Sequence, residues 1–128
     1  ALAKYGLHIG TAFQLVDDIL DYTADAQEMG KNVGDDLADG KPTLPLINAI
    51  ECATGSDKTL LEDAISNASN DNLEEVLRII KKTGALTYTA NIAKQQANLA
   101  EKALEVLPES MYKHALISLA QFSIERAY

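Results

Sequence analysis

Phe13-Gln-Leu-Val-Asp-Asp-Ile-Leu-Asp-Tyr22 carries two patterns at once. Advancing roughly 100° per residue, as an α-helix does, places Gln14, Asp17, Asp18 and Asp21 within an arc of roughly 100°, and Asp25 joins them if the helix runs that far. Extended back to the start of the chain, the same projection puts Leu2, Tyr5, Ile9, Ala12, Phe13, Val16, Ile19 and Leu20 on the opposite side. Gly6 and Gly10 lie at the edge of the acidic arc, two turns and one turn ahead of Gln14. Nothing alternates as a strand would, so an amphipathic helix from about Leu2 to Tyr22 or a little beyond is predicted.

Outward from this helix the same period recurs. A polar stretch, Ala26 to Lys41, holds Gly30, Gly34 and Gly40. Pro42-Thr43-Leu44-Pro45 then opens a second helix, with Thr43 as N-cap and proline in the first turn, ending near Gly55. Ser56 or Asp57 is expected to cap a third helix through about Ala68. Asp71 with Glu74 resembles a capping box for a fourth, which Gly84 stops. A fifth fills roughly Ala85 to Leu107 ahead of Pro108, and a sixth starts near Ser110. Connections this short make neighbours antiparallel. The fold class is all-α, with antiparallel helices.

The 128 residues suit one domain with a real core. Nineteen acidic residues against eleven basic ones give a net charge of −8, and the only adjacent cations are Lys81 and Lys82, which argues against nucleic acid as a partner. A single cysteine, Cys52, excludes an internal disulfide framework and suits a reducing compartment. No apolar run approaches the ~20 residues of a transmembrane segment. These features lead us to expect a cytoplasmic protein. The first residues are helix-periodic with no Met and no capping residue before them, so the chain is expected to be part of something longer.

Carboxylates packed this closely on one helix face repel one another, and a cation is the usual remedy. All-oxygen donors suit Mg²⁺, which takes one or two carboxylates and completes its shell with waters and substrate phosphates. The plain alternative is a solvated acidic face. Gly30-Lys-Asn-Val-Gly-Asp-Asp-Leu-Ala-Asp-Gly-Lys-Pro-Thr43 supplies phosphate-binding chemistry nearby, because glycines let backbone N–H groups approach an anion and Lys31 and Lys41 are point charges. It is neither a Walker loop, since five residues separate Gly34 from Gly40 and Pro42 parts Lys41 from Thr43, nor a calcium loop, since Leu46 stands where the bidentate Glu would.

Together, Gly10-Thr-Ala-Phe-Gln-Leu-Val-Asp-Asp-Ile-Leu-Asp21 and Gly30–Leu46 closely resemble the trans-type polyprenyl diphosphate synthases, above all their bacterial octaprenyl branch, which makes quinone side chains. The likeness covers residues 1–128 as the C-terminal part of a single synthase domain, the C-terminal half of an isoprenoid synthase helical fold. It implies a prenyltransferase that elongates an allylic prenyl diphosphate with isopentenyl diphosphate, using Mg²⁺. By that resemblance Asp17-Asp18-x-x-Asp21 is the second aspartate-rich motif, Asp17 the direct metal ligand and Asp18 and Asp21 its support. Lys31 and Lys41 meet the allylic diphosphate, Asp36 stands near the metal waters, and Phe13 and Gln14 line the reacting ends of the isoprenoids.

The family also needs a first aspartate-rich motif followed by an arginine pair. Asp35-Asp36-Leu-Ala-Asp39 fits its pattern, yet it stands in the glycine loop with Arg78 and Arg126 far along the chain. The first motif is therefore expected to be absent and the chain alone inactive, while the intact enzyme is expected to be a homodimer. Leu2, Tyr5, Ile9, Phe13, Val16 and Leu20 are candidates for a face that has lost its cover, through which the chain self-associates. Alternative readings are a non-catalytic helical interaction module and a fragment like a terpene cyclase, the latter disfavoured by the Gly-Lys…Gly-Lys-Pro-Thr segment. Cys52 is expected in the core, as are Tyr88, Tyr112, Phe122 and Tyr128. His8 and His114, single and distant, are read as surface or packed residues.

Overall fold

The computed structural model describes residues 1–23, 35–68 and 71–125. Among them are seven helices and no strand: α1 (Leu2–Leu20), α2 (Asp35–Ala38), α3 (Leu44–Cys52), α4 (Gly55–Ser66), α5 (Leu73–Thr83), α6 (Ala85–Ala103) and α7 (Met111–Glu125). They form two units, Ala1–Asp17 with Ala90–Tyr128, and Asp18–Thr89, so the divisions fall inside α1 and α6.

In the first unit, Tyr5 and Ile9 of α1, Ala100 of α6, Leu104 just beyond it and Ala120 of α7 make the core, with Phe13, Leu107, Leu116 and Ile117 packed in part against it. The Tyr5 hydroxyl donates to the Leu116 carbonyl at 2.8 Å, and His8 Nδ1 pairs with Gln96 Oε1 at 2.8 Å. Ala90, Ala93, Ala97 and Ala100 are buried at helical spacing along α6, a small-residue stripe on which a neighbouring backbone can come close. α6 stops at Ala103 rather than Leu107. Its end tightens into i→i+3 turns, Leu104 N–H to Glu101 and Glu105 N–H to Lys102, which carry Leu104 fully out of solvent. Ser110 begins α7 as expected, its Oγ accepting the Lys113 N–H at 3.1 Å.

The second unit is built on Leu37, Leu46, Leu61, Val76, Ile79 and Ile80, all without exposed surface. α3 packs on α4 and α5, and α4 on α2 and α5. The pattern of α5 shows why it folds: Val76, Ile79 and Ile80 share one buried face, Glu74 and Glu75 occupy the first turn, and Lys81 and Lys82 the last, so charge complements the helix dipole at both ends. Gly84 ends it at φ 73°, in the left-handed region where a side chain is strained.

Several boundaries differ from the sequence reading. The N-cap of α4 is Thr54, with Ser56 and Asp57 inside the first turn, and that of α5 is Asn72 rather than Asp71. Thr43 is the N-cap of α3, as read, but its side chain makes no capping bond. The polar stretch conceals a helix, α2, because Leu37 among its polar neighbours is drawn into the core. Cys52 is exposed, and Ala53 takes the core position beside it. Tyr88, Tyr112 and Phe122 are exposed too, while Tyr128 lies outside the described residues. Of the face expected to stand uncovered, Tyr5, Ile9, Val16 and Leu20 are buried within the chain, and only Leu2 is mainly exposed. Among the described residues no helix is long and apolar enough to cross a membrane.

Candidate metal and diphosphate site

The aspartates are positioned by a single helix and the turn that closes it. α1 ends at Leu20, where Tyr22 N–H donates to Ile19 at 3.0 Å and Thr23 N–H to Leu20 at 3.2 Å, with Thr23 Oγ1 reinforcing the second carbonyl. Asp17 and Asp18 thus lie in the last regular turn and Asp21 in the tightened one. Asp25 lies outside the described residues.

Burial changes along this one face. Gly6, Gly10 and Gln14 are exposed, and a methyl group built at either glycine would meet nothing within 4 Å. Asp17 is half-buried, Asp18 is 7% exposed and Asp21 not at all. A merely solvated acidic face would leave all three wet. Carboxylates are almost never fully buried unless something compensates their charge, and each of these three interacts with its surroundings. The sequence projection set them opposite the apolar side and gave no sign that the carboxylate end of that face is itself covered.

The other predicted residues are distributed as follows. Phe13 packs partly on the core of the first unit, and Gln14 is exposed. Asp36 belongs to α2, its side chain outside what is described; Lys31 lies wholly outside the described residues. Lys41 is exposed on the turn between α2 and α3. Its backbone is held: Gly40 N–H donates to Leu37 at 3.0 Å and Thr43 N–H to Lys41 at 3.1 Å. Thr43 Oγ1, two residues on, is enclosed with no hydrogen-bond partner. Sequence reasoning missed how this turn is anchored; the signal available was Leu37, an apolar residue in a largely polar stretch.

The donor set is all hard oxygen. Among the described residues no three His, Cys, Asp or Glu side chains converge as a metal cage. Such a stripe fits a cation that takes one or two carboxylates and fills its shell from water and phosphate, as Mg²⁺ does. Among the described residues, an open concavity of about 760 Å³ lies over α4, lined by Ser56, Thr59, Asp63 and Asn72, and another of about 680 Å³ between α6 and α7, lined by Leu99, Glu105 and Ile117. Neither includes a predicted site residue.

An all-α chain with Asp-Asp-x-x-Asp closing its first helix, and Gly-Lys-Pro-Thr opening a later one, has the features of an isoprenoid synthase fold. The family model of polyprenyl synthetases matches residues 1–83, and the chain belongs to that family. It is 51% identical over 129 residues to an octaprenyl diphosphate synthase of Haemophilus influenzae, covering 100% of this chain and 39% of that protein. It is 45% identical to the geranyl-diphosphate-specific all-trans-nonaprenyl-diphosphate synthase of Rhodobacter capsulatus, over 98% of this chain and 38% of the relative. Among solved structures, a polyprenyl synthase of Caulobacter crescentus complexed with calcium and isoprenyl diphosphate superposes with a TM-score of 0.88 at 37% identity, over 98% of this chain and 39% of that one. The chain therefore spans about two fifths of the length of these relatives.

Proposed function

We propose that this chain is the C-terminal, metal- and diphosphate-binding part of a trans-prenyltransferase that elongates an allylic prenyl diphosphate with isopentenyl diphosphate to a long-chain, octaprenyl-type product for a quinone side chain. The observation that carries the reading is the burial of Asp18 and Asp21 on the face that is open at Gly10 and Gln14. A stripe of hard oxygen donors that reaches partial exposure at Asp17 suits a site where a divalent cation joins carboxylate to phosphate. The relatives named above are prenyl diphosphate synthases and supply the reaction class.

In this reading Asp17, with its partial exposure, is the direct ligand of Mg²⁺, and Asp18 and Asp21 orient its waters. Mg²⁺ held by Asp17 would supply positive charge to neutralise a diphosphate leaving group. Lys31 and Lys41 hold the allylic diphosphate as ammonium point charges, and Asp36 stands near the metal waters. Phe13 and Gln14 line the reacting ends, where the allylic C–O bond breaks, the isopentenyl double bond attacks the allylic carbon and a proton is lost. Preorganised cations of this kind act where negative charge develops. The intact enzyme works in the cytoplasm as a homodimer, and the chain by itself self-associates.

Calorimetry on this chain with farnesyl diphosphate, with and without Mg²⁺, tests the reading. Binding is expected only with Mg²⁺ and is lost in Asp17→Ala. Adding isopentenyl diphosphate is expected to give no product, since the first aspartate motif is not in the chain. Metal-independent binding, or none, would favour the non-catalytic helical module instead.

A further inference from the structure

α7 is apolar on more than one side. Leu116, Ile117 and Ala120 belong to the core of the first unit, and Ser123 is buried as well. A second set stays in solvent: Met111, Tyr112, Leu119 and Phe122 are exposed, with Ala115 and Ser118 exposed between them. At 100° per residue, Met111, Ala115, Ser118 and Phe122 fall within an arc of roughly 60°, and Tyr112 and Leu119 flank them along one edge. No charged residue interrupts this stripe. Lys113 Nζ donates to the Leu107 carbonyl at 3.1 Å and to Glu109 at 2.9 Å, and His114 Nε2 pairs with the other Glu109 oxygen at 2.8 Å. Both side chains are thus engaged by the connection that leads into α7.

The stripe reads the same in both directions. Its spacing is four, three and four residues, with large side chains at the ends and small ones in the middle. A patch can close on a copy of itself only if a twofold axis maps it onto itself. This order does so in the antiparallel sense, setting Met111 opposite Phe122 of the second copy and Ala115 opposite Ser118. Small side chains let two helix backbones approach where they cross, and crossing helices diverge on either side, where large side chains fill the gap. At each end a thioether then meets an aromatic ring, a favourable contact. The area suits a weak pair. Tyr112 and Phe122 leave 78% and 52% of their surface open, roughly 200–320 Å² per copy at 150–250 Å² for each aromatic side chain. With Met111 and Leu119 added, two copies together cover about 1,000 Å², the lower edge of a specific interface.

We propose that α7 is an interface between two copies of this chain, crossed antiparallel about a twofold axis between Ala115 and Ser118. The proposal rests on the reading above that the chain self-associates, and it assigns the face and the sense of the pairing.

Cysteine pairs read that sense directly. With Cys52, the chain's one cysteine, changed to serine, Ala115→Cys and Ser118→Cys are made separately and oxidised alone or mixed. A disulfide needs Cα atoms within about 7 Å, and the antiparallel crossing sets position 115 opposite position 118, so the mixture is expected to give severalfold more covalent dimer than either variant alone. Phe122→Glu changes an exposed side chain, and unchanged circular dichroism will show that the fold is kept. It is expected to weaken the dimer at least about tenfold in sedimentation, whereas Leu99→Glu, exposed on α6, leaves it unchanged. Covalent dimer formed as readily by each variant alone would overturn the antiparallel sense. A dimer that survives Phe122→Glu would overturn α7 as the interface while self-association stands. A monomer at every concentration would overturn both and give the stripe to another polypeptide.

Discussion

Shortening Leu37 to alanine should show how the diphosphate turn is held. α2 is a single turn of four residues, far below the length at which a helix persists in water, so its stability comes from packing. Leu37 has no exposed surface and packs in the core of its unit. Leu37→Ala removes three carbons, which costs about 2.4 kcal/mol at roughly 0.8 kcal/mol per buried CH₂. The cavity left behind brings the total into the 2–5 kcal/mol range of buried Leu→Ala changes. Taking about 3 kcal/mol, and an unfolding entropy near 2.1 cal/mol/K per residue over the chain, Tm should fall by roughly 11 °C. Leu7→Ala, on an α1 side chain 66% exposed, serves as control and should stay within about 2 °C. Circular dichroism melts read both. Because the Gly40 N–H is bonded to the carbonyl of Leu37 itself, its amide exchange should accelerate in Leu37→Ala more than that of any α5 amide. A fall in Tm below about 4 °C, on the same conversion, with unchanged exchange at Gly40, would show that something other than Leu37 holds α2.

Gly84→Ala tests backbone strain without packing: nothing lies within 4 Å of the added methyl, so the expected loss is the left-handed cost alone, about 1–2 kcal/mol, read as a lower Tm. Arg78 donates to Asp57 at 3.1 Å and holds that carboxyl below its ordinary range, with Lys82 adding to the effect. A lowered folded pKa contributes stability that is present above the ordinary Asp range and lost as pH falls through the lowered value; Asp57→Asn should flatten the acid limb of a stability–pH curve, and an unchanged limb would exclude the pair as a contributor. Tyr112, Ala115, Leu119 and Phe122 form an exposed stripe at i, i+3, i+7 and i+10 on α7, with Tyr112 78%, Leu119 42% and Phe122 52% exposed and Met111 beside them at 78%. With aromatic side chains worth 150–250 Å² each, a second copy packed on this stripe would bury on the order of 1,000 Å² in all, the lower edge of a specific interface. Sedimentation at micromolar concentration should therefore show a weak dimer that Tyr112→Glu dissociates, and a monomer at every concentration would refute it. In an enzyme complete with both aspartate motifs, the residue equivalent to Asp17 changed to Ala should lower kcat by orders of magnitude, and a near-parental rate would remove it from the catalytic set.

Local patterns in this chain encode local structure well. The i, i+3, i+4 set Val76, Ile79 and Ile80 with charge of the right sign at each end specifies α5, and Gly84 specifies its stop, because periodicity and a left-handed cap are properties of neighbouring residues. The Asp17-Asp18-x-x-Asp21 spacing likewise determines that three carboxylates share one helix face. Burial along that face is not a property of the spacing, so the fall from exposed Gln14 to fully buried Asp21 could not be read from the motif. For the same reason an apolar residue is not its own address: Cys52, Tyr112 and Phe122 have core chemistry and stand in solvent, while Leu37, within a largely polar stretch, is fully buried. Sequence spacing determines which side chains travel together on an element. Burial, and with it the electrostatic environment of a carboxylate or the order of a lysine-bearing turn, is decided only when distant elements pack against one another.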